Sequence, residues 1–244
     1  MNVDPQWDAE LRRRALAGQT SDQIAEAIGW TKESVVSRIR WMGIMQESAS
    51  SSRSHLRLVS DCLDIHSSTD VALKTDGAGN RVNIGAPLIS RNFTIDVGGG
   101  AEVHIAPGCV LQGLFIYARA GAVIRIGGAT GFNGTVKILA HERSNVSIGE
   151  ACLFADGVHV TVSDMHSIID QSSGERINPA ANVTLGNHVW LGQNVLALKG
   201  ATIGSNSIIG AASVVTGALP ADSLCVGAPA RAIRHGVTWR HELV

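Results

Sequence analysis

The stretch from Val183 to Val215 limits this chain most, because it repeats with a period of six. Its hexads open on Leu185, Leu191, Ala197, Ile203 and Ile209. Glycine stands second in four of them (Gly186, Gly192, Gly204, Gly210), and a small or β-branched residue stands fifth (Val189, Val195, Ala201, Ser207, Ser213). A helix repeats at about 3.6 residues and a strand at 2, so a period of six belongs to neither alone. It suits short strands joined by tight corners, with the first residue pointing inward and the glycine easing the turn. Three such hexads close a triangular coil of eighteen residues, the distance from Leu185 to Ile203, and coils of this kind stack into a solenoid.

A longer period runs upstream. Ile84-Gly85, Ile105-Ala106, Ile126-Gly127 and Ile148-Gly149 follow one another at 21, 21 and 22 residues, one coil each with slack at a corner. Val97-Gly98-Gly99-Gly100 fits such a corner. The 37 residues from Ile148 to Leu185 are expected to hold two coils. Hydrophobic residues make up 45% of the chain but aromatics only 4%, which suits a narrow interior filled by Ile, Leu, Val and Ala rather than rings. The four cysteines, Cys62, Cys109, Cys152 and Cys225, lack metal or redox spacing. Cys109 and Cys152 take the small fifth position and are expected as buried free thiols.

The first 45 residues follow a helical pattern instead: Leu11, Ala15 and Leu16, then Ile24, Ala25 and Ile28, then Val35, Val36 and Ile39. Gly18 would end a first helix, Thr20-Ser21-Asp22-Gln23 would cap a second that Gly29 ends, and Thr31 would cap a third. This all-α, three-helix head resembles a helix-turn-helix, with Lys32, Ser34, Ser37, Arg38 and Arg40 on the helix that would enter a major groove. Over residues 1–50 six basic residues stand against seven acidic ones, and that balance weighs against nucleic acid as a partner. The bland alternative is a helical cap that packs on the body or aids assembly. Residues 46–55 are Ser-rich and read as a linker, the solenoid as 56–234 and the remainder as a C-terminal tail, 235–244. With a net charge of -1, no signal-peptide pattern and no apolar run of spanning length, the expectation is a cytoplasmic protein without membrane insertion.

The hexads, with Ala211-Ala212-Ser213-Val214-Val215-Thr216 and Val226-Gly227-Ala228-Pro229-Ala230-Arg231-Ala232-Ile233-Arg234, resemble the hexapeptide-repeat O-acetyltransferases of sugars. The resemblance implies a mainly β, left-handed parallel β-helix, a homotrimer with sites between neighbours, acetyl-CoA as co-substrate and no metal. It implies His166 as general base, since that histidine precedes a polar run (Gln171–Ala180) and lies upstream of Val189-Trp190-Leu191-Gly192. Imidazole, titrating near about 6.5, suits removal of an alcohol proton at neutral pH. Asp164, Asp170 or a backbone carbonyl would fix its tautomer. Trp190 would shape the acceptor or thioester pocket or cover a subunit joint. Gly192, Gln193, Ala211 and Thr216 would line the acyl-CoA arm, and Arg231 and Arg234 would reach its phosphates. Family members often carry Thr-Lys where this chain has Thr216-Gly217, so one phosphate contact is expected to be missing.

The remaining histidines carry weaker claims. His104 and His188 read as strand or corner residues, His141 and His159 as neighbours of the cleft, and His55, His66, His235 and His241 as linker or tail. A γ-class carbonic anhydrase would need two histidines five apart, and no pair has that spacing. The acceptor reads as a sugar or cell-surface glycan hydroxyl, by analogy of Ser163–Asp170 and Gly174–Pro179 with capsule-decorating transferases. Two alternatives stay open: transfer to the amine of an amino sugar, and a DNA-binding regulator that uses the solenoid as an oligomerising scaffold.

Overall fold

The computed structural model describes residues 62–76 and 79–243, together with 10–11, 13–14, 21–29 and 35. The chain divides into two compact units, Met1–His55 and Leu56–Val244. In the first, Ser21–Ile28 is helical and Gly29 leaves the helix at φ 68°. Leu11, Ile24, Ala25, Ile28 and Val35 are buried, as their spacing predicts. The other two expected helices fall largely outside the described residues, as do the candidate groove residues Lys32 to Arg40 and the Ser-rich linker. Among the described residues no helix is long and apolar enough to cross a membrane.

The second unit is a β-solenoid of about seven turns with three walls. The first wall stacks eight parallel strands, Cys62–Ile65, Arg81–Ile84, Glu102–Ile105, Val123–Ile126, Asn145–Ile148, Val183–Leu185, Thr202–Ile203 and Ala218–Leu219. Ile84, Ile105, Ile126 and Ile148 stand directly above one another, so the long period of the sequence is the coil repeat. The second wall includes Leu153–Phe154, Trp190–Leu191, Ile208–Ile209 and Ser223–Gly227. The third includes Phe93–Val97, His159–Thr161, Leu196–Ala197 and Val214–Val215. Two long strands, Val110–Ala118 and Gly131–Ala140, turn the corner between the second and third walls without a break.

Two expectations change here. Ile148 pairs directly with Leu185, so the 37 residues between them form one coil with a loop inserted, not two coils. After Val162 the chain leaves the wall, and its large apolar residues Met165, Ile168, Ile169 and Ile177 are exposed instead of turned inward. The interior is also less purely aliphatic than the composition suggests, since Phe93, Phe132 and Phe154 are fully buried and the last two rings lie 4.7 Å apart.

The hexad glycines serve a different purpose from the turn first read into them. The left-handed backbone falls on the fourth residue of each hexad: His188, Asn194, Gly200, Asn206 and Ala212 have φ between 56° and 80°. The second-position glycine answers to the coil above. A Cβ on Gly204 would lie 2.3 Å from the Ala221 nitrogen, and one on Gly192 would lie 2.8 Å from that of Ala211. Stacked coils sit about 4.8 Å apart, which leaves these positions no room for a side chain.

Candidate active site

His166 lies at the corner between the third and first walls, on the loop that leaves the solenoid after Val162 and rejoins it at Val183. The loop is fastened at both levels of that corner. Below it, Glu142 accepts two hydrogen bonds from Arg176, Nη1 at 2.6 Å and Nη2 at 2.7 Å, and a third from the Ser163 hydroxyl. The Arg176 guanidinium, then Ser163, hold the Glu142 carboxyl down at about 2. Above it, Lys199 Nζ donates to Asp164 at 2.5 Å. That ammonium, then the Asn178 amide, lowers the Asp164 carboxyl below its ordinary value.

Asn178 stands between these two anchors and is 5% exposed. Its Nδ2 donates to Asp164 Oδ2 at 2.7 Å and to the His166 carbonyl at 2.9 Å. Its Oδ1 accepts from the Ile168 N–H at 2.7 Å and from Arg176 Nε at 3.2 Å. The His166 side chain is exposed. Of the two aspartates proposed to orient it, Asp164 is engaged with Lys199 and Asn178. Asp170 folds into its own turn, accepting from the Ser172 hydroxyl at 2.5 Å and from the Ser172 and Ser173 N–H groups, contacts that hold its carboxyl at about 2. These contacts secure the loop, not the imidazole. Glu142, Arg176, Asn178 and Lys199 form a network that sequence reading missed, because its members are scattered over three segments with no shared motif.

The other candidates divide between two sides of the solenoid. Thr216 follows Val215 and stacks in register on Leu198 and Thr161, which places it on the His166 corner. Trp190 projects from the second wall, opposite that corner, and is 37% exposed. Gly192, Gln193 and Ala211 gather at the far end of that wall, where the Ala212 N–H donates to the Gln193 carbonyl at 2.8 Å. Arg231 and Arg234 lie on Ala230–His235, which returns antiparallel beside Ser223–Gly227 on the same wall. Both arginines are exposed.

The tail contributes unexpectedly. Trp239 is 7% exposed, stacks on the His188 imidazole at 4.3 Å, donates from Nε1 to the His188 carbonyl at 2.8 Å and lies 6.1 Å from the Trp190 ring. His141 packs on Tyr117 at 4.7 Å, and burial lowers its pKa; burial does the same to His159. Cys109 and Cys152 are buried thiols, the former pushed up to about 12 by desolvation.

Residues 182–217 match the family model of the bacterial transferase hexapeptide, six repeats. The polysialic acid O-acetyltransferase of Neisseria meningitidis is 36% identical over 126 residues, which are 51% of this chain and 58% of that protein. The galactoside O-acetyltransferase of Escherichia coli K12 is 33% identical over 119 residues, 49% of this chain and 57% of that protein. The chain spans about half the length of the curated relatives it matches. The crystal structure of the polySia-specific acetyltransferase NeuO superimposes with a TM-score of 0.62 at 26% identity, covering 70% of this chain and 88% of that one.

Proposed function

We propose that the protein is an O-acetyltransferase that moves the acetyl group of acetyl-CoA to a hydroxyl of a sugar or cell-surface glycan precursor, with His166 as general base. The observation that carries this reading is the placement of an exposed histidine on an anchored loop beside a hexapeptide solenoid whose relatives are named O-acetyltransferases. In the reaction the acceptor hydroxyl gives its proton to the imidazole as its oxygen bonds to the acetyl carbonyl carbon. The C–S bond then breaks, and the proton passes to the departing sulfur. Cys109, Cys152 and Cys225 are buried and unsuited to a covalent relay, and in this reading the transfer is direct.

The two sides of the solenoid make two half-sites. His166 and Thr216 belong to one; Trp190, Gly192, Gln193, Ala211, Arg231 and Arg234 belong to the other. A closed assembly of identical chains, a trimer in this reading, joins the corner of one copy to the wall of the next. The exposed Met165, Ile168, Ile169 and Ile177 of the loop give that joint an apolar surface to bury. Left-handed winding, a cytoplasmic location and a helix-turn-helix-like head serving assembly complete the proposal.

The test begins with acetyl-CoA titrated calorimetrically into the full chain, followed by a screen of sialylated and neutral glycans for base-labile ester. His166→Ala is expected to bind acetyl-CoA within a few fold of the parent and to lose turnover. A variant that kept most of its rate would remove His166 from the mechanism. A product stable to mild base would point to an amide and an amino-sugar acceptor.

A further inference from the structure

We propose that Asn178 is the positioning residue of His166, fixing the backbone on both sides of the base through one buried amide. The inference rests on the reading of His166 as the base and names what holds it in place.

An asparagine side chain has two donors and can accept two hydrogen bonds at its oxygen. Here all four are used, on the Asp164 carboxylate, the His166 carbonyl, the Ile168 N–H and Arg176 Nε. The orientation of the amide follows from its partners. Turned over, its NH2 would face the Ile168 N–H and the Arg176 Nε–H, and its oxygen would face a carboxylate and a carbonyl. The partners bracket the base in sequence: residue 164 before it, its own carbonyl, and residue 168 after it. The chain between them is otherwise hard to hold, since Met165 has φ 62° and the side chains of Asp164 to Ile169 are exposed. A non-glycine residue in the left-handed region persists only where its surroundings enforce it. The Met165 N–H is met at 2.9 Å by the Ser163 hydroxyl, and the next enforced positions are those that Asn178 holds.

The same amide joins the two anchors of the loop. Through Arg176 it is tied to Glu142 on the coil below, and through Asp164 to Lys199 on the coil above. His166 is thereby referred to the rigid solenoid on both sides, although it sits on a twenty-residue excursion from the wall, 163–182. Catalysis by a general base depends on this kind of placement, and a shift of about 1 Å can cost about a hundredfold in rate.

Two variants test the proposal, with acetyl-CoA affinity, melting temperature and kcat measured on the full chain. Asn178→Ala is expected to lower kcat about a hundredfold while the acetyl-CoA Kd stays within threefold of the parent. Asn178→Asp keeps the shape and the acceptor but loses both donors and sets a second carboxylate beside Asp164. One of the two then titrates higher than usual, and the single O–H of its protonated form restores one of the two donated hydrogen bonds, the one between residues 178 and 164. The ratio of Asn178→Asp to parental kcat should therefore rise as pH falls from about 8 to 5.5, a change that a purely structural role would not produce. A kcat for Asn178→Ala within threefold of the parent, or a flat ratio for Asn178→Asp, overturns the proposal. Should the alanine variant fail to fold, the isosteric aspartate decides alone. His166→Ala separates the two readings. If it is inactive while the Asn178 variants keep parental rates, only the positioning role fails; if it is active, the base assignment fails first.

Discussion

If the site is shared between copies, two inactive variants should rebuild it when mixed. A solenoid wall of about six residues at about 3.3 Å each is close to 20 Å long, so the corner that bears His166 stands roughly 17 Å from the opposite wall that bears Trp190. A filled core separates them, including the fully buried Leu191, Val195 and Ala197. The loop cannot swing around, because Glu142 and Lys199 hold it to its own corner. Within one chain the two side chains do not meet. In a closed ring each site takes His166 from one copy and Trp190 from the next. With His166→Ala and Trp190→Ala chains co-expressed in equal amounts under different tags, half of all copies retain each residue. A site then receives both with probability about one quarter, whatever the number of copies in the ring. In the trimer of this reading every doubly tagged ring holds one complete site in three, so the purified mixed assemblies should recover about one third of parental kcat per site, against background for either parent alone. Background activity in purified mixed assemblies would refute the shared site and require both residues to act from one chain.

Other expectations follow from packing and charge. Gly204→Ala forces a methyl against the Ala221 and Pro220 backbone, whereas Gly217→Ala meets nothing within 4 Å. Thermal melts should place the first several degrees below the parent, at about 1–3 kcal/mol of overpacking, and the second beside it; equal melting would deny that coil spacing requires the glycine. Glu142, held at about 2, contributes to loop anchoring above its ordinary value of 4.5, and that contribution is lost as pH falls from 4.5 toward 2. Amide exchange in the 163–182 loop should accelerate over that window in the parent, and Glu142→Gln should remove the part of the acceleration that Glu142 causes. The Cys109 thiol, raised to about 12 and fully buried, should resist alkylation at pH 8 until the solenoid is unfolded.

The solenoid could be read from the chain because its determinants are local and repeated. Each coil buries the same positions, so Ile84, Ile105, Ile126 and Ile148, and then Leu185, Ile203 and Leu219, announce the wall they build. His166 and Trp190 became candidates through the family resemblance, not through the repeat. The period alone assigned the hexad glycines to turning, yet their need arises from the coil above, a neighbour about eighteen residues away that no local pattern contains. Ile148 and Leu185 are nearest neighbours because the polar segment between them leaves the wall, and counting residues could not distinguish an excursion from another coil. Trp239 reaches His188 across 51 residues, and Glu142 reaches Arg176 across 34. Single long-range contacts of this sort leave no periodic trace. Sequence by itself determined the coil and its repeat, since inward positions recur at fixed intervals. Tertiary structure decided which side each candidate residue takes and what holds His166 in place, because those depend on side chains meeting only after the coils have stacked.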